Sequence, residues 1–329
     1  MNTSSIIAPR IVIAGAGALG SALGGTLAAH GADVWLVTRN AAHCAAIAAK
    51  GLALVSPDGE IVARPNVTQS CRTIAGQPVD MIIVLCKSAD TADVARDALA
   101  VAGADTVIVS FQNGLGQEVL LSEIFGAQRV IGGKTYAGGV MLAPGIVQAT
   151  VAGKRSIIGE IAGGLSPRCL DLARQLSAHG VPCEASDNMS GAIWDKLLIN
   201  VATGALTALT RMTYGEIYAD RDLARAAFAA VAEAMNVAEA KGIALSIRTP
   251  EEAWAMAGAN LPEDFRTSML QTLEKGRRSE IDFINGAVVR AGEALGVETP
   301  VNRLLAACIH GVENSAAFTT IDCPSGERQ

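Results

Sequence analysis

The stretch RIVIAGAGALGSALGGTLAAHGADVWLV, residues 10–37, decides the fold. Its first five residues, Arg10 to Ala14, form a short apolar run rich in β-branched side chains, which is typical of a buried parallel strand. A glycine-rich loop follows, and then an Ala- and Leu-rich segment predicts a helix that ends near His30. Residues 34–37 predict a second strand. A strand, a helix and a strand in this order predict a βαβ unit with a right-handed crossover.

The loop after the first strand is a candidate phosphate-binding loop. It matches G-x-G-x-x-G, follows a strand directly and opens a helix, which is the context that gives this pattern meaning. Three glycines serve a tight turn, the approach of backbone to a pyrophosphate, and close packing of helix on strand. Amides at the helix N-terminus would hold the phosphates. The alternative is that the glycines only pack a βαβ unit. The residues predicted to bind a dinucleotide here are Gly15, Ala16, Gly17, Ala18, Leu19 and Gly20.

The end of the second predicted strand distinguishes two dinucleotides. An NAD site places Asp or Glu there to bond the ribose 2′-hydroxyl. This chain has Thr38-Arg39-Asn40 instead, and the next acidic residue is Asp58. Arg39 suits a 2′-phosphate through charge-assisted, bidentate hydrogen bonds. We therefore predict NADPH as the cofactor, against the alternative that Arg39 is a solvated surface charge.

The rest of the chain falls into two parts of different character. Short apolar runs alternate with helical stretches such as residues 89–101, and they predict further strands over residues 79–85, 106–109, 130–133, Ile146–Thr150 and Ser156–Gly159. After about Ser186 the pattern is helical throughout, over residues 190–210, 220–242, 265–273 and 281–295. We predict an α/β Rossmann-type dinucleotide-binding domain over residues 1–187 and an all-α C-terminal domain over residues 188–329, with a hinge near residues 186–189. The tail after Phe318 is polar.

Composition excludes several classes of function. Of the 329 residues, 26 are Lys or Arg and 32 are Asp or Glu, which gives a net charge of −6. This balance disfavours binding to nucleic acid or to an anionic membrane, and the low aromatic content of 4% disfavours base stacking. Residues 11–32 carry no formal charge and are long enough to span a membrane. Glycines interrupt them and a second strand follows, so we predict no membrane segment.

Cysteine and histidine usage indicates a reduced environment and no metal. The seven cysteines are odd in number and contain no C-x-x-C pair, and the four histidines lie far apart in sequence. This pattern predicts neither a disulfide framework nor a zinc site. We expect free thiols in a cytoplasmic protein. The Ala-rich helices leave room for a homodimer contact.

Seven motifs taken together resemble the ketopantoate reductase (2-dehydropantoate 2-reductase) family, and they extend over nearly the whole chain. They are G-A-G-A-L-G at 15–20, V-L-C-K at 84–87, Q-N-G-L-G at 112–116, P-G-I-V at 144–147, W-D-K-L-L-I-N at 194–200, S-M-L-Q at 268–271 and G-R-R-S-E-I-D-F-I-N-G at 276–286. The order and spacing of the last three are the most specific part. The resemblance implies NADPH-dependent reduction of 2-dehydropantoate to (R)-pantoate, a step of pantothenate and coenzyme A biosynthesis, with the substrate in the cleft between the domains.

The resemblance also implies roles for particular residues. Lys196 would be the general acid, and Glu280 a partner of the catalytic, substrate-binding or cofactor-binding groups. Ser268 would donate to the substrate carboxylate. Asn113 would lie near the nicotinamide and the reacting centre, and Lys87 would contact the cofactor. Each has a structural alternative, from a surface lysine to a turn-forming Asn-Gly pair.

The residues themselves agree with part of this assignment. Lys196 lies in a mostly apolar stretch, residues 193–208, where desolvation would lower the pKa of its ammonium toward the range useful to a proton donor. Asn200 lies four residues further on the same helical face and could position the substrate ketone. Ser279 and Asp282 have the spacing of a capping box, which would place Glu280 in the first turn of a helix.

Two departures from the family pattern bear on the substrate. Gly204 stands where the family often has a second asparagine, and Thr272 stands where Asp is common. A reductase of another 2-oxo acid, or an opine-type dehydrogenase of the same architecture, therefore remains an alternative. A non-catalytic NADP(H)-binding regulatory protein is the alternative of another class, and the presence of both Lys196 and Glu280 speaks against it.

Overall fold

A computed structural model describes residues 9–77, 79–259 and 261–315. The predicted polar tail after Phe318 and Cys323 lie outside the described residues. The strands are β1 (Arg10–Ala14), β2 (Asp33–Val37), β3 (Leu52–Ser56), β4 (Gly59–Ala63), β5 (Asn66–Thr68), β6 (Met81–Val84), β7 (Val107–Ser110), β8 (Val130–Thr135), β9 (Gly138–Ala143), β10 (Ile146–Thr150), β11 (Ser156–Gly159) and β12 (Cys183–Ala185).

Helices connect these strands and make up the C-terminal part. The α-helices are α1 (Ala18–Ala29), α2 (Ala41–Lys50), α3 (Thr91–Ala98), α4 (Gln117–Phe125), α5 (Pro167–Ala178), α6 (Met189–Thr210), α7 (Tyr214–Ala219), α8 (Arg221–Ala240), α9 (Pro250–Gly258), α10 (Ser268–Glu274), α11 (Asn285–Leu295) and α12 (Pro300–Glu313). Short 3₁₀ helices include Ser88–Asp90 and Ile281–Phe283.

The chain divides into two compact units. The sheet unit comprises Met1–Gln112 and Gly116–Ser190, and the helical unit comprises Asn113–Leu115 and Gly191–Gln329. The domain boundary predicted at residue 187 stays a prediction. No local pattern predicts that three residues between β7 and α4 group with the helices rather than with the sheet.

The sheet unit is built on an eight-stranded sheet of order β12-β11-β8-β7-β6-β1-β2-β5. The strands from β8 to β5 are parallel, and β11 joins β8 in antiparallel register. Strand β1 lies between β6 and β2, so the loop that follows β1 emerges at the carboxyl edge of the parallel strands. Ligands of open α/β sheets bind at this edge. The predicted Rossmann-type α/β fold followed by helices is confirmed.

A second sheet, of order β4-β3-β10-β9, covers helix α1 on its other side. A methyl group at Gly24 would lie 2.5 Å from Leu36 of the large sheet, and one at Gly25 would lie 2.7 Å from Leu52 of the small sheet. Two adjacent glycines thus allow α1 to pack between both sheets. The uncharged stretch 11–32 is a buried strand and a helix enclosed on two sides.

Helix α6 forms the centre of the helical unit. Trp194, Leu197, Leu198, Val201 and Ala205 of α6 are buried in one core with residues of α8, α10 and α12. Among the described residues, α6 is the one helix long and apolar enough to cross a membrane, and 67% of that window is buried inside the protein's own fold. The helix predicted to open at Asp220 is α8, whose first turn Asp220 caps by accepting from the amides of Asp222 and Leu223.

The predicted capping box at Ser279 is wrong. The Ser279 hydroxyl and amide both donate to Oε1 of Glu313, each at 2.7 Å, and Asp282 bonds His310 at 3.0 Å instead of reaching back to Ser279. Residues 281–283 form a 3₁₀ helix, and α11 begins at Asn285. Glu280 therefore precedes a 3₁₀ turn and is not in the first turn of an α-helix. The Glu313 carboxylate thus accepts from the Ser279 amide, the donor that Asp282 would bond in a capping box.

Candidate active site

The loop after β1 has a conformation that only glycine adopts easily. Gly15 has a φ of +103°, and a Cβ there would lie 2.4 Å from the backbone nitrogen of Cys86. The amides of Gly15 and Ala16 both donate to the carbonyl of Val37, at 3.2 and 2.8 Å. The loop is thus fixed between the ends of β2 and β6.

The start of α1 fits a phosphate group. Gly17 is the N-cap residue and supplies no capping side chain, and the first turn holds no acidic residue. A Cβ at Gly17 would meet no atom within 4 Å, so the space in front of this helix end is open. The first amides of any helix lack intrahelical partners and carry a partial positive charge. The amides of Ala18, Leu19 and Gly20 could therefore bind a pyrophosphate.

Two basic residues lie at the same edge of the sheet unit. Arg39 follows β2, is exposed, and forms an ion pair of 2.5 Å with Asp90, which ends the 3₁₀ helix after β6. Lys87 is exposed and directly follows Cys86, the residue that touches Gly15. The sequence reasoning found no acid near Arg39 because Asp90 lies 51 residues away.

Gln112 anchors the end of β7, a role that the sequence analysis missed. Its side-chain amide is buried and donates to the Cys86 carbonyl at 3.0 Å and to the Thr91 hydroxyl at 2.8 Å. The residue stands in the quoted motif Q-N-G-L-G, immediately before Asn113. The motif itself was the available signal, but the partners of Gln112 come from the loop after β6 and from the start of α3.

The tripeptide Asn113–Leu115 is held by the segment after Glu280. The Leu115 amide donates to the Phe283 carbonyl at 2.9 Å. Gly114 has a φ of +87°, and a Cβ there would lie 2.3 Å from the same carbonyl oxygen. Only glycine allows this approach. Asn113 therefore has a fixed backbone position within the helical unit.

Lys196 and Asn200 lie one turn apart on α6, and both side chains are half-buried. The residue before Lys196 has a role that the sequence did not indicate. The buried Asp195 carboxylate accepts hydrogen bonds from the Ser246 amide at 3.0 Å, the Ser246 hydroxyl at 2.6 Å and the Ile247 amide at 3.2 Å. Asp195 thus ties the start of α6 to the loop between α8 and α9.

Helix α10 meets α6 near Thr207, about two turns beyond Asn200. The hydroxyls of Thr207 and Thr267 lie 2.7 Å apart, and Thr267 caps α10 by accepting from the Leu270 amide. Ser268 is consequently the first residue of α10, and it is exposed. The Thr272 hydroxyl donates to the Ser268 carbonyl at 2.7 Å, so it is engaged with its own helix.

Glu280 is half-buried and lies between two backbone anchors. Glu313 holds Ser279 on one side, and the Leu115 amide holds Phe283 on the other. Glu313 is only 6% exposed. Nothing in the sequence singles out Glu313, because a glutamate near the end of a helix is ordinarily exposed.

Burial also changes the protonation of two groups in the sheet unit. It raises the pKa of Glu118, in the first turn of α4, to about 7. It raises the pKa of the Cys86 thiol to about 11. Cys86 is therefore a neutral thiol at pH 7 and is no nucleophile there. In the described part of the chain, no three His, Cys, Asp or Glu side chains come together as metal ligands would.

The sequence-predicted residues divide between the two units. The loop residues Gly15 to Gly20, Arg39 and Lys87 belong to the sheet unit. The helical unit contains Asn113, Lys196, Asn200, Ser268 and Glu280. Asn113 is the informative member, because it is far from the others in sequence and still belongs to the same compact unit.

Comparison with known proteins identifies the family. The family described as "Ketopantoate reductase PanE/ApbA" matches residues 11–163, and "Ketopantoate reductase PanE/ApbA C terminal" matches residues 188–313. The 2-dehydropantoate 2-reductase of Halobacterium salinarum is 33% identical over 298 residues, which cover 90% of this chain and 96% of that protein. The enzyme of the same name from Pyrococcus horikoshii is 33% identical over 305 residues, 93% of this chain and 98% of its own length.

Solved structures agree with this relationship. A PanE/ApbA family ketopantoate reductase from Ralstonia eutropha has a TM-score of 0.84 at 31% identity, covering 93% of this chain and 98% of that one. D-mandelate dehydrogenase, solved with NADH and anilino(oxo)acetate, has a TM-score of 0.86 at 26% identity, covering 94% and 99%.

The chain belongs to the ketopantoate reductase family, as the motifs predicted. It is an oxidoreductase that acts on a CH–OH group. The family uses NADPH, the cofactor that the sequence predicted, and this prediction is confirmed.

Proposed function

We propose that this protein reduces 2-dehydropantoate to (R)-pantoate with NADPH, in pantothenate and coenzyme A biosynthesis. The observation that carries this proposal is the composition of the helical unit. Asn113, Lys196, Asn200, Ser268 and Glu280, which the family resemblance assigns to the reaction, all belong to it. The regions matched in the relatives from Halobacterium salinarum and Pyrococcus horikoshii, both named 2-dehydropantoate 2-reductase, are 96% and 98% of those proteins' own lengths.

The sheet unit supplies the cofactor-binding groups in this proposal. Amides of Ala18, Leu19 and Gly20 bind the pyrophosphate, and Arg39 binds the 2′-phosphate with Lys87 near it. The open space before Gly17 and the absence of an acid in the first turn of α1 support this assignment. NADPH, when bound, supplies the hydride that reaches C2 of the substrate.

The helical unit supplies the proton and holds the substrate. Lys196 donates a proton to the alkoxide oxygen that forms at C2, and Asn113 and Asn200 orient the ketone. Ser268 donates to the substrate carboxylate from the exposed start of α10, where helix amides also favour an anion. Glu280 completes the polar network. Proton transfer from a positioned side chain contributes roughly 10²–10⁴ in rate.

A second candidate is the reduction of another 2-oxo acid. Thr272 turns its hydroxyl back to its own helix, and a Cβ at Gly204 would contact only the Met269 side chain, at 3.6 Å. Neither position presents a charge or an amide to a substrate hydroxyl. The structural likeness to D-mandelate dehydrogenase also favours this candidate.

We place the protein in the cytoplasm. The six cysteines in the described part of the chain are free thiols. Burial raises the pKa of Cys71 and of Cys183 to about 12, so these thiols are unreactive structural groups that need no oxidising compartment.

The test is turnover with a panel of substrates. Purified protein is given NADPH with 2-dehydropantoate, pyruvate, 2-oxoisovalerate or phenylglyoxylate, each with and without an amino acid as amine donor. We expect the highest kcat/KM with 2-dehydropantoate and an (R)-configured product on a chiral column. A higher kcat/KM with an unhydroxylated 2-oxo acid would favour the second candidate. A requirement for the amine would indicate an opine-type enzyme, and cofactor binding without any turnover would indicate a regulatory protein.

A further inference from the structure

His43 links three separate segments of the sheet unit. It is fully buried in the first turn of α2. Its Nδ1 lies 2.9 Å from the amide nitrogen of Gly145, in the turn between β9 and β10, and its Nε2 lies 2.9 Å from the Ser21 hydroxyl of α1. The Ser21 hydroxyl in turn donates to the Ala16 carbonyl of the phosphate loop at 3.3 Å.

The donor and the acceptor of each hydrogen bond in this series, from Gly145 through His43 and Ser21 to Ala16, can be assigned. The Gly145 amide can only donate, so Nδ1 is an acceptor and carries no proton. A neutral ring then carries its proton on Nε2 and donates to the Ser21 oxygen. The Ser21 hydroxyl uses its own hydrogen for Ala16. One proton arrangement alone satisfies all of these groups, and a doubly protonated ring would oppose a donor to the Gly145 amide.

Helix α2 connects His43 to Arg39, the proposed contact for the 2′-phosphate. Asn40 caps α2 by accepting from the His43 amide at 3.0 Å, and Arg39 is the preceding residue. The Gly145 turn packs against the same helix, since a Cβ at Gly145 would lie 2.9 Å from Ala46. His43 therefore connects the phosphate loop at Ala16 to the helix start that carries Arg39.

We propose that His43 is a positioning residue for the dinucleotide, whose neutral imidazole fixes the Arg39 turn at a set distance from the phosphate loop. This inference rests on the proposed roles of that loop and of Arg39. The pyrophosphate and the 2′-phosphate belong to one adenosine moiety, so the spacing of their two binding elements decides whether both are held at once. The lowered pKa of the buried His43 supports a neutral ring.

The surroundings of His43 simplify a pH test. Helix α1 and strands β9 and β10 have no charged side chain, and the groups that they present to the ring, the Ser21 hydroxyl and the Gly145 amide, do not titrate near neutral pH. On α2 itself the other titratable side chains are Cys44 and Lys50. Arg39 is ion-paired with Asp90 at the surface.

Three variants separate the possibilities. His43→Gln keeps an acceptor and a donor on one planar group but does not titrate. His43→Phe removes both, and Ser21→Ala cuts the link to Ala16. Dissociation constants of NADPH and NADH are measured by nicotinamide fluorescence on the full-length protein from pH 8 to pH 5, with thermal unfolding alongside. His179→Gln is the matched control, since His179 contacts only the carbonyl of Gln175 on its own helix among the hydrogen bonds described.

At pH 8 we expect His43→Phe to weaken NADPH binding about tenfold or more, because the buried Gly145 amide loses its acceptor and the Ser21 oxygen loses its donor. Ser21→Ala should have a smaller effect, and His43→Gln should stay within about threefold of wild type. Toward the acid end of this range, wild type should lose NADPH affinity more steeply than His43→Gln, because a protonated ring would oppose a donor to the Gly145 amide. The 2′-phosphate also titrates near a pKa of about 6, but it does so equally in both proteins, so their difference reports the ring.

Normal NADPH affinity in folded His43→Phe, or an identical pH profile for wild type and His43→Gln, would overturn the inference. If His43→Phe does not fold, the pH comparison and Ser21→Ala still decide it. Arg39→Ala separates the two levels of argument. Loss of NADPH preference in Arg39→Ala with normal binding in the His43 variants rejects only the His43 inference, whereas an unchanged preference in Arg39→Ala rejects the cofactor assignment beneath it.

Discussion

The phosphate loop and the Glu280 segment are held in place by different means. Residues 15–20 are bonded to Val37 and packed against Cys86, at the ends of the two strands that flank β1. Glu280 is held through its neighbours: Ser279 bonds Glu313, 34 residues downstream of it, and Phe283 bonds Leu115, far upstream in the chain. The first arrangement follows from strand order and glycine sterics. The second depends on contacts between residues that no local pattern relates.

This difference determines how well each region can be predicted from the sequence and how it should respond to mutation. If the loop binds the cofactor as proposed, its residues should affect affinity for the cofactor. If the Glu280 segment serves the chemical step as proposed, its residues should affect kcat. Substitutions at Lys196, Arg39 and Glu313 test this separation, and Glu118→Gln tests the stability of the sheet unit.

Lys196→Ala should give the largest effect and should act on kcat alone. We expect kcat to fall by roughly 10²–10⁴, because a positioned proton donor contributes about that much. NADPH affinity should be nearly unchanged, and Lys196→Arg should not restore the rate, since a guanidinium rarely gives up its proton. Single-turnover measurements ensure that the chemical step is observed. Lys241→Ala, at the exposed end of α8, is the control. A near-normal single-turnover rate in Lys196→Ala would mean that another group donates the proton.

Arg39→Ala should give the next largest effect and should act on affinity alone. Loss of a charged hydrogen-bonding group is expected to weaken NADPH binding by about 1.5–3 kcal/mol, with little change for NADH. Isothermal titration with both dinucleotides measures the difference. Arg96→Ala removes another exposed arginine that is paired with an aspartate in the same unit, and it should change neither. Equal losses for both dinucleotides would show that Arg39 does not read the 2′-phosphate.

Glu118→Gln tests a residue whose sequence context misleads. An acid in the first turn of a helix is ordinarily stabilising, but burial raises the pKa of Glu118 from 4.5 to about 7. The wild-type fold should therefore lose stability as the pH rises from about 4.5 through 7, because the buried carboxyl must ionise. Glu118→Gln should raise the free energy of unfolding by about 3 kcal/mol at pH 8 and by close to nothing at pH 4. Urea unfolding at the two pH values measures this, and a pH-independent difference would argue against a titrating Glu118.

Glu313→Leu should give the smallest effect and tests the distant anchor directly. Removing the acceptor leaves the Ser279 amide unpaired and loosens Glu280, so we expect a fall in kcat of about three- to tenfold. NADPH affinity should not change. Glu313→Gln retains Oε1 and should restore most of the rate. A loss of stability without any change in kcat would mean that the anchor supports the fold and not the chemistry.

Much of the sheet unit could be predicted because its signals are local. The predicted strands at residues 10–14, 146–150 and 156–159 coincide with β1, β10 and β11. The second sheet could not be predicted as a sheet, since β10 pairs with β3, more than 90 residues earlier. The ion pair of Arg39 with Asp90 and the anchor of Ser279 on Glu313 escaped for the same reason. The spacing Ser279-x-x-Asp282 matches a capping box, but the sequence does not reveal that Ser279 donates to the distant, buried Glu313.

The assignment of Asn113–Leu115 to the helical unit has a consequence for anyone who cuts or recombines the gene. The polypeptide passes from one unit to the other at 112/113, 115/116 and 190/191. A fragment that starts at residue 191 contains α6 except for its first two residues, and all later helices of the second unit, yet it lacks the tripeptide whose Gly114 fits against the Phe283 carbonyl. A chimera that exchanges only the C-terminal half with a relative therefore combines a new Phe283 segment with the resident tripeptide. An exchange of the whole helical unit requires two inserts, residues 113–115 and the residues after 190. A library built with a single crossover near residue 190 does not exchange the shorter insert.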